Sequence, residues 1–370
     1  MIQVKPNILV ITSRSDYGGG PEHIFKLVSN LKEQVGFYIA APTDYPYYDK
    51  YSKLIGKENM LIIPHRKFRL FSLFKLIRFV KKKKIDIIHS HGKGAGIYSR
   101  LIRYFINVKV IHTFHGIHVD NYNSFQKSLY LLLERLFALR TDKFINVSQG
   151  ENVLTKKYHI ASSDKLIVIE NGVEIPDIKV DDKNYEQNPK IIVSFSRFDH
   201  SKNSELLVPI ALRLKELNQI DNFKILVYGE GPDQNKVKEL IAINGLAEYI
   251  ILKGTTTEPD KVLLRSFCYI STSRWEGMPL GVLEAYAHGL PVIATNVTGN
   301  FNIVENNTDG FLFDISRPYD AAELIIDLSK NKTLWKRLSG NSRLKAERNY
   351  SINRVVAETR ELYYKIYNLR

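Results

Sequence analysis

A chain of 370 residues, 44% of them hydrophobic and 25% charged, is too apolar to be disordered and long enough for two cores, since a single core stops growing near ~250–300 residues. Its net charge of +14 is lopsided: residues 1–180 hold 28 Lys+Arg against 15 Asp+Glu, so the first half is what meets a membrane surface, a nucleic acid or a polyanionic substrate. A single cysteine, Cys268, excludes a disulfide framework and a multi-thiolate zinc site, and no window approaches the ~20 uncharged apolar residues of a membrane span.

Strand-length apolar runs punctuate the chain. In the first half they fall at 8–12, 37–40, 85–89, 108–113 and 144–148, and in the second at 191–195, 225–228, 269–272 and 292–295. Most are continuous Val/Ile runs rather than alternating ones, and helical stretches separate them, which predicts parallel sheets covered on both faces. The first run is too short for a secretory signal core and no small-residue cleavage site follows it, so the protein is expected to stay in the cytoplasm. Residues 178–189 are polar and end in a proline, and they read as a linker between two Rossmann-like halves, 1–177 and 190–350. A final segment, 351–370, carries Val355, Val356, Leu362, Tyr363 and Ile366 at helical spacing and has one face to bury.

Ligands of open α/β sheets bind beyond the carboxyl ends of the strands, so the residues that follow each run are the informative ones. Gly18, Gly19 and Gly20 follow the first run; their spacing is not that of a dinucleotide fingerprint, and no acid marks an NAD ribose site. The glycines fit either a plain tight turn or a loop that lets a substrate approach the backbone. His89, His91, His112, His115 and His118 cluster on two neighbouring segments without the second-shell carboxylates of a metal site, and His115 is the one placed to hydrogen-bond a polar substrate. Between residues 65 and 84 stand nine Lys or Arg and no acid, including Arg69, Lys75, Arg78, Lys81, Lys82, Lys83 and Lys84. Leu70, Leu73, Phe74, Ile77 and Val80 recur at helical spacing among them, which predicts a basic amphipathic helix for an anionic bilayer. Its aromatics are expected on the buried face, which disfavours nucleic acid.

In the second half, Arg197 and Lys202 stand five apart after a buried run, an arrangement that suits one diphosphate. After the 269–272 run comes RWEGMPLGVLEAYA, in which Gly277, Met278, Pro279 and Leu280 form a turn leading into a helix. A helix start offers free N–H groups to phosphate oxygens; Glu284, one turn inside, is placed for ribose hydroxyls, and Glu276 for whatever lies beyond the phosphates. No D-x-D pair occurs, so a metal-held diphosphate is not indicated and no cofactor is expected.

The ordered set TFHG, VSQGEN, ENGVEI, SFSRFDHSKN, YGEGPD and the Glu276-x7-Glu284 frame of EGMPLGVLEAYAHGLPVIAT resembles the retaining GT-B glycosyltransferases of family 4 along nearly the whole chain. That resemblance implies two Rossmann-like domains facing across a cleft, with the C-terminal helix crossing back to the first. It implies that Arg197 and Lys202 hold the donor diphosphate and Glu284 the ribose. Glu276, with the backbone of Gly277, Met278, Pro279 and Leu280, would hold the sugar and phosphates. Gly18 and Gly19 would close over the diphosphate, and His115 matches the family's active-site histidine. Two positions depart from the pattern: Met278 replaces the usual phenylalanine, and Thr298-Gly299-Asn300-Phe301-Asn302 lacks the glutamate of G-G-x-x-E.

The expected function is therefore metal-independent, retaining transfer of a hexose or N-acetylhexosamine from a nucleoside-diphosphate sugar, preferably UDP-linked. The acceptor is expected to be a lipid-linked oligosaccharide of bacterial surface polysaccharide, O-antigen or capsule, at the inner face of the cytoplasmic membrane. A small soluble acceptor is the rival within the fold. A basic nucleic-acid-binding protein and an NAD oxidoreductase are the rivals outside it.

Overall fold

Strands covered by helices on both faces can be apolar throughout, and the continuous runs of this chain become the interiors of two parallel sheets. The computed structural model describes residues 5–117 and 122–369. The first sheet holds β1 (Asn7–Thr12), β2 (Gly36–Ala41), β3 (Met60–Ile62), β4 (Ile87–His91), β5 (Lys109–Thr113), β6 (Lys143–Asn146) and β7 (Leu166–Val168), in the order β3-β2-β1-β4-β5-β6-β7. The second holds β8 (Lys190–Phe195), β9 (Phe223–Tyr228), β10 (Ile250–Gly254), β11 (Cys268–Ser271), β12 (Val292–Thr295) and β13 (Gly310–Phe313), in the order β10-β9-β8-β11-β12-β13.

Each sheet reverses its strand order once, between β1 and β4 and between β8 and β11. Loops part on either side of such a point and leave a crevice at the carboxyl ends. The glycine loop and His91 follow β1 and end β4, whereas Lys202 follows β8 and Glu276 follows β11. The 85–89 run is shifted in the structure: β4 begins at Ile87 and ends on His91, and a helix, Lys93–Phe105, follows after one glycine.

The chain divides into two units, one made of residues up to Asn171 plus those from Ile352 onward, the other Gly172–Ser351. In the first, the Gly19–Leu31 helix and the Ile352–Tyr367 helix share one core, with Ile24, Leu27, Val355, Leu362 and Tyr363 packed against Ile8 and Val10 of β1. The other face is covered by the Leu70–Lys82 and Lys93–Phe105 helices over Leu9, Ile11 and Ile88. The stretch 178–189 is not a free linker. Val180 is buried and its N–H donates to His288 O at 2.9 Å, and a short helix, Asp182–Glu186, follows. The Asn184 amide reaches the carbonyls of Leu264 and Ser266 at 2.8 and 2.9 Å. Polar composition here reflects carbonyls to be satisfied inside the second unit, which a side-chain amide does as well as water.

Candidate functional site

In the second unit, the loops after β8 and β11 are fastened together. Thr272 Oγ1 donates to Lys202 O at 3.0 Å, Arg274 N to Ser201 O at 2.8 Å, and Arg274 Nη2 to Asn203 Oδ1 at 2.8 Å. Across this seam Lys202 Nζ meets Glu276 Oε1 at 2.5 Å, and Ser273 Oγ donates to the same oxygen at 2.6 Å. The pair lines a small polar cleft with Ser196, Thr272, Pro279 and Gly281. Pro279 caps the Leu280–Ala287 helix without a side-chain acceptor; Val282 N and Leu283 N donate to Pro279 O at 3.1 and 3.2 Å, which leaves the N–H groups of Leu280 and Gly281 to face an anion. Glu284 lies in that helix, half-buried, with its carbonyl accepting from His288. Arg197 is turned to its own loop: its Nε donates to Asp199 Oδ2 at 2.5 Å. Burial alone would raise the Asp199 carboxyl, but hydrogen bonds from Ser201 and Arg197 hold it below the usual carboxylate range. Lys202 and Glu276 thus arrive as one unit, and the hydroxyls of Ser196, Thr272 and Ser273, which were not among the expected site residues, line the same cleft.

In the first unit, β5 ends in a turn that puts His115 at φ 58°, in the left-handed region, followed by Gly116 at φ 113°. The turn is held by Glu151, whose two oxygens accept from Gly116 N at 2.5 Å and Val147 N at 2.7 Å. Glu151 is buried at the start of the Gln149–Lys157 helix, with Ser148 capping its N–H. Burial pushes its carboxyl up to about 7, the two backbone donors opposing that rise. His115 Nε2 lies 2.9 Å from His91 Nδ1 with the rings stacked, and His23 stands edge-on to His115. A hydrogen bond between two ring nitrogens requires the accepting imidazole to be neutral, and burial among other histidines lowers both rings well below the ordinary value. His115 is thus a neutral hydrogen-bonding group. His89 is buried between Tyr363 and Thr113, whereas His118 lies outside the described residues. Gly18 caps the Gly19–Leu31 helix, and Arg14, absent from the sequence reading, reaches to within 3.0 Å of where a Gly18 side chain would stand while paired to Asp16. A cation two residues past a buried strand was the available signal. Among the described residues, the group best spaced for a metal is Asp16, Asp44 and His65; Arg14 already holds Asp16, and His65 Nδ1 meets Asp44 at 2.5 Å.

The Glycosyl transferases group 1 family matches residues 177–345, and Glycosyltransferase Family 4 matches residues 17–175. The chain belongs to glycosyltransferase family 4 and has the GT-B fold. A galactosyltransferase of Escherichia coli, UDP-Gal:alpha-D-GlcNAc-diphosphoundecaprenol alpha-1,3-galactosyltransferase, is 28% identical over 79% of this chain and 78% of its own. The capsular polysaccharide biosynthesis glycosyltransferase CapH of Staphylococcus aureus is 27% identical over 80% and 83%. Among solved structures, Anabaena HepE in complex with UDP and glucose superposes with a TM-score of 0.84 at 16% identity, covering 97% of this chain and 100% of that one.

In this glycosyltransferase the glycines of the second unit are placed by contact. A Cβ on Gly229 would lie 2.1 Å from Ser196 O, and one on Gly231 2.3 Å from Phe198 O, so YGEGPD is the bed on which the Arg197 loop rests. Gly299, at φ 94°, does the same for the Glu276 turn: its Cβ would stand 2.4 Å from Glu276 Cβ, and Thr298 O accepts from Glu276 N at 2.9 Å. The departure at 298–302 therefore makes a self-contained turn. Asn302 caps Gly299 N, and buried Asn300 donates to Thr295 O at 3.1 Å. Met278 is buried in the same turn. Gly299→Ala is expected to displace the Glu276 turn and lower transfer by about tenfold to 10²-fold while the unit stays folded, because a misplacement of about 1 Å in a substrate site costs up to that much. Activity and a circular-dichroism melt of the purified variant check it.

The basic helix of the glycosyltransferase forms as Leu70–Lys82, with a different buried face from the one expected. Leu73, Leu76, Phe79 and Val80 face the core, whereas Leu70, Phe71 and Phe74 are more than half exposed. The period was legible, but the phase was set by which residues the neighbouring helix could cover; Tyr98 takes Phe68 against its ring and its hydroxyl accepts from Arg69 N at 2.8 Å. Phe71, Phe74, Leu61 and Phe79 line an open groove of about 350 Å³ rimmed by Lys75, Arg78 and Lys82. Among the described residues no helix is long and apolar enough to cross a membrane.

Proposed function

We propose that this glycosyltransferase moves a hexose or N-acetylhexosamine from a nucleoside-diphosphate sugar, preferably UDP-linked, to a lipid-linked oligosaccharide during assembly of a bacterial surface polysaccharide. The observation that carries the donor reading is the Lys202–Glu276 pair at the start of the Leu280–Ala287 helix, at the switch point of its sheet. A diphosphate seated there meets an ammonium and the helix N-terminus, while Glu276 faces the transferred sugar and Glu284 the ribose. Arg197 would exchange Asp199 for phosphate oxygens. Leaving-group charge is then stabilised by cations and backbone dipoles without a metal, and a phosphate oxygen accepts the acceptor proton on the retained face.

The acceptor reading is supported by the name of the E. coli relative, which carries a diphosphoundecaprenol acceptor, and by the exposed Phe71 and Phe74 amid Lys75, Arg78 and Lys81 to Lys84. Such a helix suits peripheral attachment to the inner face of the cytoplasmic membrane. A panel of nucleotide sugars, monitored by nucleotide release with and without lipid-linked acceptor and with a chelator, tests the reading. Release is expected from one or two UDP-sugars, unchanged by chelator and dependent on the lipid-linked acceptor, with the product anomer retaining the donor's configuration. Full turnover on a small soluble acceptor alone would overturn the lipid part. Reversing Lys81, Lys82, Lys83 and Lys84 to glutamate is expected to weaken binding to anionic vesicles at low salt by at least 10²-fold, at ~1 kcal/mol for each charge lost near the surface; unchanged sedimentation would remove this helix as an anchor.

A further inference from the structure

The Ser124–Ala138 helix of the first unit has two apolar faces and a core for only one of them. Leu131 and Ala138 pack on Phe114 and Phe144, and buried Glu134 meets Arg100 at 2.6 Å. On the opposite side Phe125, Leu129, Leu132, Leu133 and Leu136 are 77%, 46%, 52%, 43% and 49% exposed. Their spacing of four, three, one and three residues makes one continuous stripe. An apolar stripe of this length on a soluble surface marks an interaction site.

Its surroundings select the partner. Residues 65–141 contain 16 Lys or Arg and three acids. Of the acids, Glu134 is spent in the core on Arg100, Asp86 is buried and accepts from Asn7 N at 2.6 Å, and Asp120 lies outside the described residues. Arg135 and Arg140 flank the stripe, Arg140 lying 4.3 Å above the Tyr104 ring. The stripe also continues an existing surface. Residues one strand apart in register share a side, so Phe144 under this helix faces the same way as Ile88 under the Leu70–Lys82 and Lys93–Phe105 helices. Between the two outer helices, Tyr104 and Phe105 at the end of the middle one are 53% and 59% exposed. A second copy of the chain would bring one cationic face against another, which repels, whereas an anionic bilayer complements both the charge and the apolar stripe.

We propose that the Ser124–Ala138 helix lies in the headgroup boundary of an anionic bilayer and buries Phe125, Leu129, Leu132, Leu133 and Leu136 there, as a second anchor beside the Leu70–Lys82 helix. The inference deepens the membrane part of the proposed function and rests on it. Cys268 is fully buried, so a cysteine at Leu133→Cys can be labelled selectively with an environment-sensitive fluorophore on the full chain. Vesicles of phosphatidylglycerol and phosphatidylcholine are expected to shift its emission to the blue, with vesicles of phosphatidylcholine alone doing so weakly. The double substitution Leu132→Ser and Leu136→Ser is expected to lower partition into the anionic vesicles on the order of 10²-fold, about tenfold for each leucine, with an unchanged unfolding midpoint. No emission shift, or wild-type partition of the double variant, overturns the proposal. If the charge reversal of Lys81 to Lys84 still weakens binding in that case, the membrane reading stands without this helix; if neither variant weakens it, both fall. A blue shift that grows with protein concentration in the absence of vesicles identifies a second copy as the occupant and likewise overturns it.

Discussion

Alanine at Lys202 or at Glu276 is expected to lower glycosyl transfer by about 10²-fold or more, because in the proposed donor site each removes a preorganised charge aimed at the diphosphate sugar. The structure sharpens what the two variants should do differently. With Lys202 gone, Glu276, its side chain only 13% exposed, keeps the Ser273 hydroxyl at Oε1 and loses the ammonium 2.5 Å away. A carboxylate left so repels the incoming phosphates, so Lys202→Ala is expected to raise the donor KM as well as lower kcat. In Glu276→Ala the lysine is released toward the diphosphate, so donor binding is expected to hold while kcat falls. The double variant should then cost less than the product of the two single losses, as groups that act as a pair do. Steady-state kinetics over a donor series measure all three. Wild-type turnover in both single variants would sink the site.

Acid is expected to unfold the first unit between about pH 6.5 and pH 5. Five of its histidines, His23, His89, His91, His112 and His115, are held below their ordinary value by burial, His23 to about 4 and His89 to about 3. Below the unfolded value of 6.5 the unfolded chain takes up these protons and the native unit does not, so stability is lost as pH falls. Glu151 acts in the opposite sense: raised to about 7, it holds a proton in the native state between pH 4.5 and 7 that the unfolded chain has released. Roughly four net protons at ~1.36 kcal/mol per pH unit each make a slope on the order of 5 kcal/mol per pH unit, comparable with the whole stability of many domains. Urea midpoints at pH 7.5, 6.5 and 5.5 read this directly, and His112→Gln should flatten the dependence by about one proton. A midpoint that does not move between pH 7.5 and 5.5 would refute it.

What could be read from the amino acids follows from how burial writes itself into sequence. All nine strands expected from apolar runs exist, and they are the interior strands of the two sheets; β3, β7, β10 and β13 were missed, and they are the four edges. An interior strand is covered on both faces and must be apolar throughout, whereas β7 is half-buried at every residue and β10 carries an exposed Lys253. The order of the motifs likewise carried the family, and the structure places Lys202, Glu276 and His115 in the loops that follow the expected strands, with Glu284 in the helix that follows.

Tertiary structure alone decided the rest. Charge and helical spacing predicted a basic amphipathic helix within residues 65–84, but which of its aromatics are buried depended on the helix packed beside it, and Phe71 and Phe74 came out exposed. The 178–189 stretch looked like a linker because its polar groups satisfy carbonyls elsewhere in the second unit. Gly299 and Glu151 carry no local signal of function; each matters through a neighbour brought to it by the fold, Glu276 for the one and Gly116 for the other. Sequence records the period and the chemistry of side chains, since these are properties of the chain itself. The partner of each group is a property of distance in space, and Lys202 meets Glu276 across 74 residues only because β8 and β11 lie side by side in one sheet.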